Sequence, residues 1–206
     1  DLAWSRGLGD VYKRQGVGKT TTTSNLGMAL ARLGHKTLLV DADVGLRNLD
    51  LLLGLENRVI YTGQDVLNKT CRLEQALIQD KRQPKLTFFP LCSSQSKSPF
   101  TKSQIQELIN LVSDKYDFVL IDSPAGIDQG FQTAIEPAKE AIIVVTPEVP
   151  SIRDADKVIG LLIAQGIKNN KLIINRIRPK MIKSDEMMSI TDVQNILGIP
   201  ILGTIP

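Results

Sequence analysis

Gly16-Val17-Gly18-Lys19-Thr20 runs straight into a stretch with helical spacing, and that conjunction narrows the possible folds more than any other feature of the chain. Glycines just ahead of a helix leave backbone N–H groups bare to wrap an oxyanion, and the helix start adds positive potential. Lys19 reaches the outer phosphates of such a ligand, and the Thr20 hydroxyl is placed to bind Mg²⁺. The segment is the second half of a phosphate-binding loop of the form G-x-x-x-x-G-K-S/T. Its first half departs from that form, because Lys13 stands where the leading glycine belongs and Arg14 and Gln15 follow it.

A loop of this kind needs an apolar strand running into it and further strands around it. Downstream the pattern is right. Leu26, Ala29, Leu30 and Leu33 mark a helix that Gly34 ends, and Thr37 to Val40 form a short apolar run closed by Asp41. Strands are predicted at Leu86–Phe89, Phe118–Ile121, Ala141–Val145, Leu172–Ile174 and Ile201–Ile205. Between them, Ile105, Leu108, Ile109 and Val112 mark a helix, as do Ile152, Ala155, Ile159 and Leu162, and then Val193, Ile196 and Leu197. Apolar strands alternating with amphipathic helices imply a mostly parallel sheet covered on both faces. The polar stretch Ser93–Lys102 reads as a loop inside one domain.

Upstream the pattern fails. Residues 5–13, with two glycines and three charged side chains, make a poor central strand. Residues 1–15 are therefore read as an atypical, foreign segment from a chimeric junction or assembly error. Residues 16–206 are read as a single domain, truncated just after its last strand.

Composition removes several function classes. A length of 206 residues, 42% of them hydrophobic, supports one sizeable core, and the scarcity of aromatics makes that core aliphatic. A net charge of +3 falls short of a dedicated nucleic-acid binder. Cys71 and Cys92 lack the spacing of a disulfide framework or metal site, which suits a reducing compartment. His35, the lone histidine, follows a helix-ending glycine and reads as a solvated loop residue, so histidine catalysis is not expected. No apolar run approaches bilayer length, and no signal-peptide pattern is present.

Two carboxylate signals fall at strand ends, where α/β sheets place their ligands. Asp41-Ala42-Asp43 offers two carboxylates on one side of an extended segment, one to orient Mg²⁺ through its water shell and one to position an attacking water. Asp122 closes four apolar residues in the Walker B pattern, whose carboxylate holds the metal shell. Solvated strand-end aspartates are the plain alternative for each, but three such features in the right order point to a nucleotide site.

The stretch Asp43-Val44-Gly45-Leu46-Arg47-Asn48-Leu49-Asp50 is more specific. Together with Asp122-Ser123-Pro124-Ala125-Gly126, Pro147-Glu148, Arg153-Asp154-Ala155-Asp156 and Asn175-Arg176, it resembles the MinD family, ATPases of the deviant-Walker group that place the division septum. The resemblance runs from about Gly16 to Pro206. ParA-type partition ATPases usually follow the aspartate pair with Pro-Gln. Flagellar-number regulators share Gly-Leu-x-Asn-Leu-Asp but usually lack the arginine seen here as Arg47.

The resemblance implies a three-layer P-loop NTPase fold and the cofactors ATP and Mg²⁺. It places Gly16, Val17, Gly18, Lys19, Thr20 and Thr21 along the phosphates, Asn175 at the adenine edge, and Thr20, Asp41 and Asp122 around the metal. Lys19 and Asp43 would act in catalysis, with Asp43 orienting the water that attacks the γ-phosphate. The group's signature lysine, which crosses to the partner subunit's phosphates, maps onto Arg14. Arginine keeps the charge but not the shape, and with Lys13 and Gln15 beside it weak or absent turnover is expected. The implied partners are a second copy of the chain when ATP is bound, a MinC-like inhibitor, a MinE-like activator, and a membrane surface reached through a C-terminal amphipathic helix beyond Pro206; Arg153–Asp156 corresponds to a partner-contacting helix start, with a charged helix N-terminus whose acids suit the dipole as the plain alternative. Without that helix the chain is expected not to bind membrane alone. No specific nucleic acid is implied. The expected location is the cytoplasm, peripheral on the inner membrane, or a plastid stroma. A flagellar-number regulator, a non-hydrolysing nucleotide-dependent scaffold and a DNA-partitioning ATPase stand as the alternatives.

Overall fold

The structure is a computed structural model and describes residues 2–3, 16–43, 48–92, 100–124 and 126–206. Lys13, Arg14 and Gln15, the stretch from Val44 to Arg47, most of the polar loop after Cys92, and Ala125 lie outside the described residues.

The elements run in order β1 (Leu2–Ala3), α1 (Lys19–Arg32), β2 (Thr37–Asp41), α2 (Leu49–Leu53), a 3₁₀ turn, α3 (Gly63–Leu67), α4 (Leu73–Ala76), β3 (Ile78–Gln79) and β4 (Leu86–Pro90). They continue with α5 (Lys102–Ser113), β5 (Phe118–Asp122), α6 (Gln129–Ala134), β6 (Glu140–Val145), α7 (Val149–Ala164), β7 (Asn169–Ile174), α8 (Pro179–Lys183), α9 (Ile190–Leu197) and β8 (Ile201–Thr204).

The strands form one sheet in the order β3-β4-β2-β5-β1-β6-β7-β8. The pairs β2/β4, β2/β5, β6/β7 and β7/β8 are parallel. Because side chains alternate across a strand, each central strand feeds both faces. Leu38, Val40, Val119 and Ile121 pack on one face against Ile105, Leu108, Ile109 and Val112 of α5. On that same side of the sheet, Ile143, Val145, Leu172 and Ile174 meet Ile152, Val158 and Leu162 of α7 and Val193 of α9. On the opposite face Leu39, Phe88, Leu120, Ile142 and Val144 pack under Leu30 and Ala31 of α1 and Leu49 and Leu53 of α2. The three layers and the mostly parallel sheet match the sequence expectation.

Two details differ from the sequence reading. The buried face of α1 is turned away from Ala29 and Leu33, which are exposed, toward Thr23, Gly27, Leu30 and Ala31. Gly27 explains the turn, since a Cβ there would lie 2.4 Å from Leu39 Cδ2 and the helix could not sit so close to the sheet. The other difference is in the slot between β5 and β6. A loop of this kind needs an apolar strand leading into it, residues 5–13 are read as a poor one, and the slot holds the two-residue β1, antiparallel to both neighbours.

Candidate nucleotide site

The parallel pairing of β2 with β5 is in register from Thr37↔Phe118 to Asp41↔Asp122, so both strands end on an aspartate at the same level. Ala42 N–H then donates to the Asp122 carbonyl at 3.0 Å and keeps the two exits together. Both aspartates are 3% exposed. Burial pushes the Asp41 carboxyl well above the usual carboxylate range, and the neighbouring Asp122 charge pushes it further. Burial raises the Asp122 carboxyl as well, opposed by Lys19 and by hydroxyl donors from Thr20 and Thr23. Asp41 Oδ1 accepts from Asp43 N–H at 3.1 Å. Asp41 Oδ2 is buried with no hydrogen-bond partner among the described residues.

The loop arrives from the other side. Gly16 and Gly18 have φ of 93° and 99°, the left-handed region where glycine carries no penalty. Gly18 is the cap from which α1 starts, and Thr22 both donates N–H to the Gly18 carbonyl at 2.8 Å and donates its hydroxyl to it at 2.8 Å. Lys19 Nζ donates to the Ser123 carbonyl at 3.3 Å, just past Asp122. Thr23 Oγ1 donates to Asp122 Oδ1 at 3.2 Å. Lys19, Thr20, Asp41 and Asp122, predicted from separate segments, therefore meet in one notch at the carboxyl end of the sheet, with Gly16, Val17 and Gly18 as its lip.

The remaining predicted residues are placed less uniformly. Asp43 is half-buried at the end of the described segment after β2. Thr21 is exposed on the first turn of α1, where its carbonyl accepts from Ser24 and Asn25. Asn175 follows β7 and turns its amide onto the loop, with Nδ2 donating to the Val17 carbonyl at 2.7 Å. Arg14 lies outside the described residues. Sequence reasoning missed Thr23, although it sits three residues beyond Thr20 and so shares its helix face.

The donor set suits a hard divalent cation. It consists of carboxylate and hydroxyl oxygens, and one buried carboxylate oxygen has no protein partner. Two buried acids side by side are costly without a positive charge, and Mg²⁺ with its oxygen-only coordination would supply one. Among the described residues there is no group of three or more His, Cys, Asp or Glu side chains that could hold a metal ion.

Residues 12–206 match the CobQ/CobB/MinD/ParA nucleotide binding domain. The chain is 70% identical over 191 residues to a septum site-determining MinD relative of Emiliania huxleyi, covering 93% of this chain and 70% of that protein. It is 53% identical over 191 residues to the septum site-determining protein MinD of Synechocystis sp., covering 93% and 72%. Among solved structures, the MinC:MinD cell division protein complex of Aquifex aeolicus superposes with a TM-score of 0.88 at 47% identity, over 96% of this chain and 79% of that one. MinD of Pyrococcus horikoshii complexed with Mg-ADP superposes with a TM-score of 0.81 at 30% identity, over 96% and 79%. The chain belongs to the MinD family of septum-site-determining ATPases.

Proposed function

We propose that the protein binds Mg-ATP in this notch, hydrolyses it slowly, and uses the bound state to help place a division septum. The observation that carries the reading is the buried Asp41–Asp122 pair set against the start of α1 with an unpartnered carboxylate oxygen. Burial and mutual repulsion disfavour the charged forms of both carboxyls there, and a bound cation would favour them.

Each residue then has a task. The N–H groups of Gly16 to Thr20 hold the phosphate oxygens, and Lys19 swings from the Ser123 carbonyl to the outer phosphates. Thr20 would offer its hydroxyl to Mg²⁺, Asp41 and Asp122 would hold the ion through its waters, and Thr23 steadies Asp122. Mg²⁺ bound there would neutralise charge building up on the transferred phosphoryl group. Asp43 orients the attacking water, and Arg14 contributes positive charge across a dimer. Asn175 borders the base, and Thr21 lies beside the phosphates.

The reading extends to partners. An ATP-bound homodimer, a MinC-like inhibitor, a MinE-like activator and a membrane surface complete the proposed cycle. Solved structures of a relative with MinC and of another with Mg-ADP support it. The opening turns of α7, where Arg153 is exposed and Asp154 pairs with Lys157 at 3.6 Å, are the proposed activator surface. No helix among the described residues is long and apolar enough to cross a membrane.

The substitutions Lys13, Arg14 and Gln15 favour a second reading, nucleotide-dependent assembly with little turnover. Phosphate release measured on the chain and on a triple variant carrying Lys13→Gly, Arg14→Lys and Gln15→Gly tests both. The proposal expects slow or no release from the first and faster release from the second. Equal rates would refute the part assigned to those three positions, and failure of both proteins to bind Mg-ATP would refute the nucleotide reading.

A further inference from the structure

Asn175 does something at the phosphate end of the site that a base contact does not require. Its backbone N–H donates to the Val145 carbonyl at 2.7 Å, which fixes the residue to the end of β6. Its side-chain amide is held at both ends, with Nδ2 donating to the Val17 carbonyl at 2.7 Å and Oδ1 accepting from Arg176 N–H at 2.9 Å. Arg176 has a φ of 60°, in the left-handed region that non-glycine residues seldom enter. Beyond it, Ile177 N–H donates to the Ile205 carbonyl at 3.0 Å and Ile205 N–H donates to the Ile174 carbonyl at 2.8 Å, so the segment is pinned by backbone on both sides.

The consequence follows from peptide geometry. In a trans peptide the C=O and the next N–H point in opposite directions. Holding the Val17 carbonyl toward Asn175 therefore aims the Gly18 N–H away from Asn175. That N–H is one of the donors an anion would meet. The close approach also leaves no room at residue 18, where a Cβ would lie 2.4 Å from Asn175 Nδ2. A free Val17–Gly18 peptide could turn its carbonyl toward the phosphates and repel them.

We propose that Asn175 is a positioning residue for the phosphate-binding loop, setting the Val17–Gly18 peptide so that Gly18 N–H faces the anion, with the left-handed turn at Arg176 holding the amide in place. The proposal rests on the nucleotide reading for its ligand but not for its structural content. It assigns Asn175 a role toward the phosphates that is indifferent to the base.

The test compares Mg-ATP with Mg-tripolyphosphate, which has no base, by calorimetry on the full chain and on Asn175→Asp and Asn175→Ala. Asn175→Asp keeps the shape of the side chain but cannot donate to the Val17 carbonyl. Both ligands should weaken by the same factor, about tenfold, the scale of one oriented hydrogen bond. Weakened ATP binding with unchanged tripolyphosphate binding would overturn the proposal in favour of a base contact. A readout without ligand accompanies it. Amide exchange at Gly18, Lys19 and Thr20 should accelerate in both variants while exchange in β6 and β7 is unchanged, and unaltered protection at the loop would also overturn the proposal. Arg176→Gly should behave as the parent, because glycine adopts this φ freely, whereas Arg176→Val should exchange like Asn175→Ala. Parent-like behaviour of Arg176→Val would remove the left-handed turn from the account. If the parent chain binds neither ligand, the nucleotide reading fails and the exchange measurement still decides the role of Asn175.

Discussion

Asp41 and Asp80 are both buried, at opposite ends of the same sheet, and their surroundings treat them in opposite ways. Asp80 sits in the turn between β3 and β4, beside the amino end of β4, where its N–H donates to the Leu86 carbonyl at 2.9 Å. Its carboxylate is fully answered. Oδ1 accepts from Arg82 N–H at 2.7 Å and Nε at 3.1 Å, and Oδ2 accepts from Arg82 Nη2 at 2.6 Å. The Arg82 guanidinium holds the Asp80 carboxyl below the usual carboxylate range, and it also donates to the Leu53 carbonyl at 2.5 Å, tying the turn to α2. Asp41, at the carboxyl end of β2, is raised instead by burial and by Asp122, and keeps a bare oxygen. A structural carboxylate is solved within the protein, while a functional one is left for something else to complete.

The amino end of the sheet has a hollow of its own. A cavity of about 700 Å³ opens at the amino end, lined by Lys36, Lys85, Lys139, Asp114 and Asp117 among others. The size is adequate for a small ligand. Its lining nevertheless includes neither of the side chains that, among the described residues, have a buried, unpartnered oxygen, Asp41 and Asn170. Lys36, Lys85 and Lys139 precede β2, β4 and β6, and the cavity also borders the end of α5, where basic residues favourably meet the negative end of the helix dipole. Exposed lysines in that position cost nothing and need no ligand.

The contrast can be broken most forcefully at the two lysine sets. On the proposed reading Lys19→Ala should weaken Mg-ATP binding by about a hundredfold or more, whereas Lys36→Ala should leave it within about twofold, since of the two lysines only Lys19 lies beside the Asp41–Asp122 notch. Calorimetric titrations giving comparable losses for the two would dissolve the distinction between the ends.

The aspartates come next in size. Asp80→Ala should destabilise by about 1–3 kcal/mol, because it removes the acceptor for the Arg82 and Gln83 N–H groups of the turn and leaves a cavity at a buried site. Asp41→Asn should instead raise the stability of the ligand-free protein by about 1 kcal/mol while abolishing Mg²⁺-dependent nucleotide binding. Urea unfolding measures both, and destabilisation by Asp41→Asn would contradict the view that burial disfavours this charge.

Acid sharpens the comparison further. The folded Asp80 carboxyl titrates lower than it does in the unfolded chain, so its contribution is fully present above the unfolded value of roughly 3.9 and is lost as pH falls through the folded value. The urea midpoint should therefore drop below about pH 4 in the parent chain and drop less steeply in Arg82→Ala. Parallel pH profiles for the two proteins would remove Arg82 as the cause. The smallest effect is expected at Lys85→Ala, whose stability should stay within about 0.5 kcal/mol of the parent.

The half of this contrast that concerns function was largely readable in the sequence. Asp41 and Asp122 each close a run of apolar residues with strand period, and Gly18-Lys19-Thr20 opens a helix, so their meeting follows from the parallel topology alone. The buried stripes of α5 and α7 were equally plain, because Ile105, Leu108, Ile109 and Val112, and Ile152, Ala155, Ile159 and Leu162, are aliphatic at helical spacing. The stripe on α1 was misread since its buried residues include Thr22, Thr23, Ser24 and Gly27, which hydropathy does not score as core. Thr23 is buried by its bond to Asp122 and Gly27 by its closeness to Leu39, both long-range facts. The Asn175–Val17 contact spans 158 positions, and no local pattern announces it. The Asp80–Arg82 pair is local, but an acidic and a basic residue two apart in a polar turn look like ordinary solvated charges.

The central claim is that a divalent cation and a triphosphate complete the carboxyl end of the sheet. Crystals grown with Mn²⁺ and a non-hydrolysable ATP analogue, with data collected for the anomalous signal of manganese, test it most directly. The account predicts one peak about 2.1 Å from the Thr20 hydroxyl, with Asp41 and Asp122 gathered around its water shell. A peak among the residues at the amino end, or a nucleotide bound there with the Asp41–Asp122 notch empty, would contradict it.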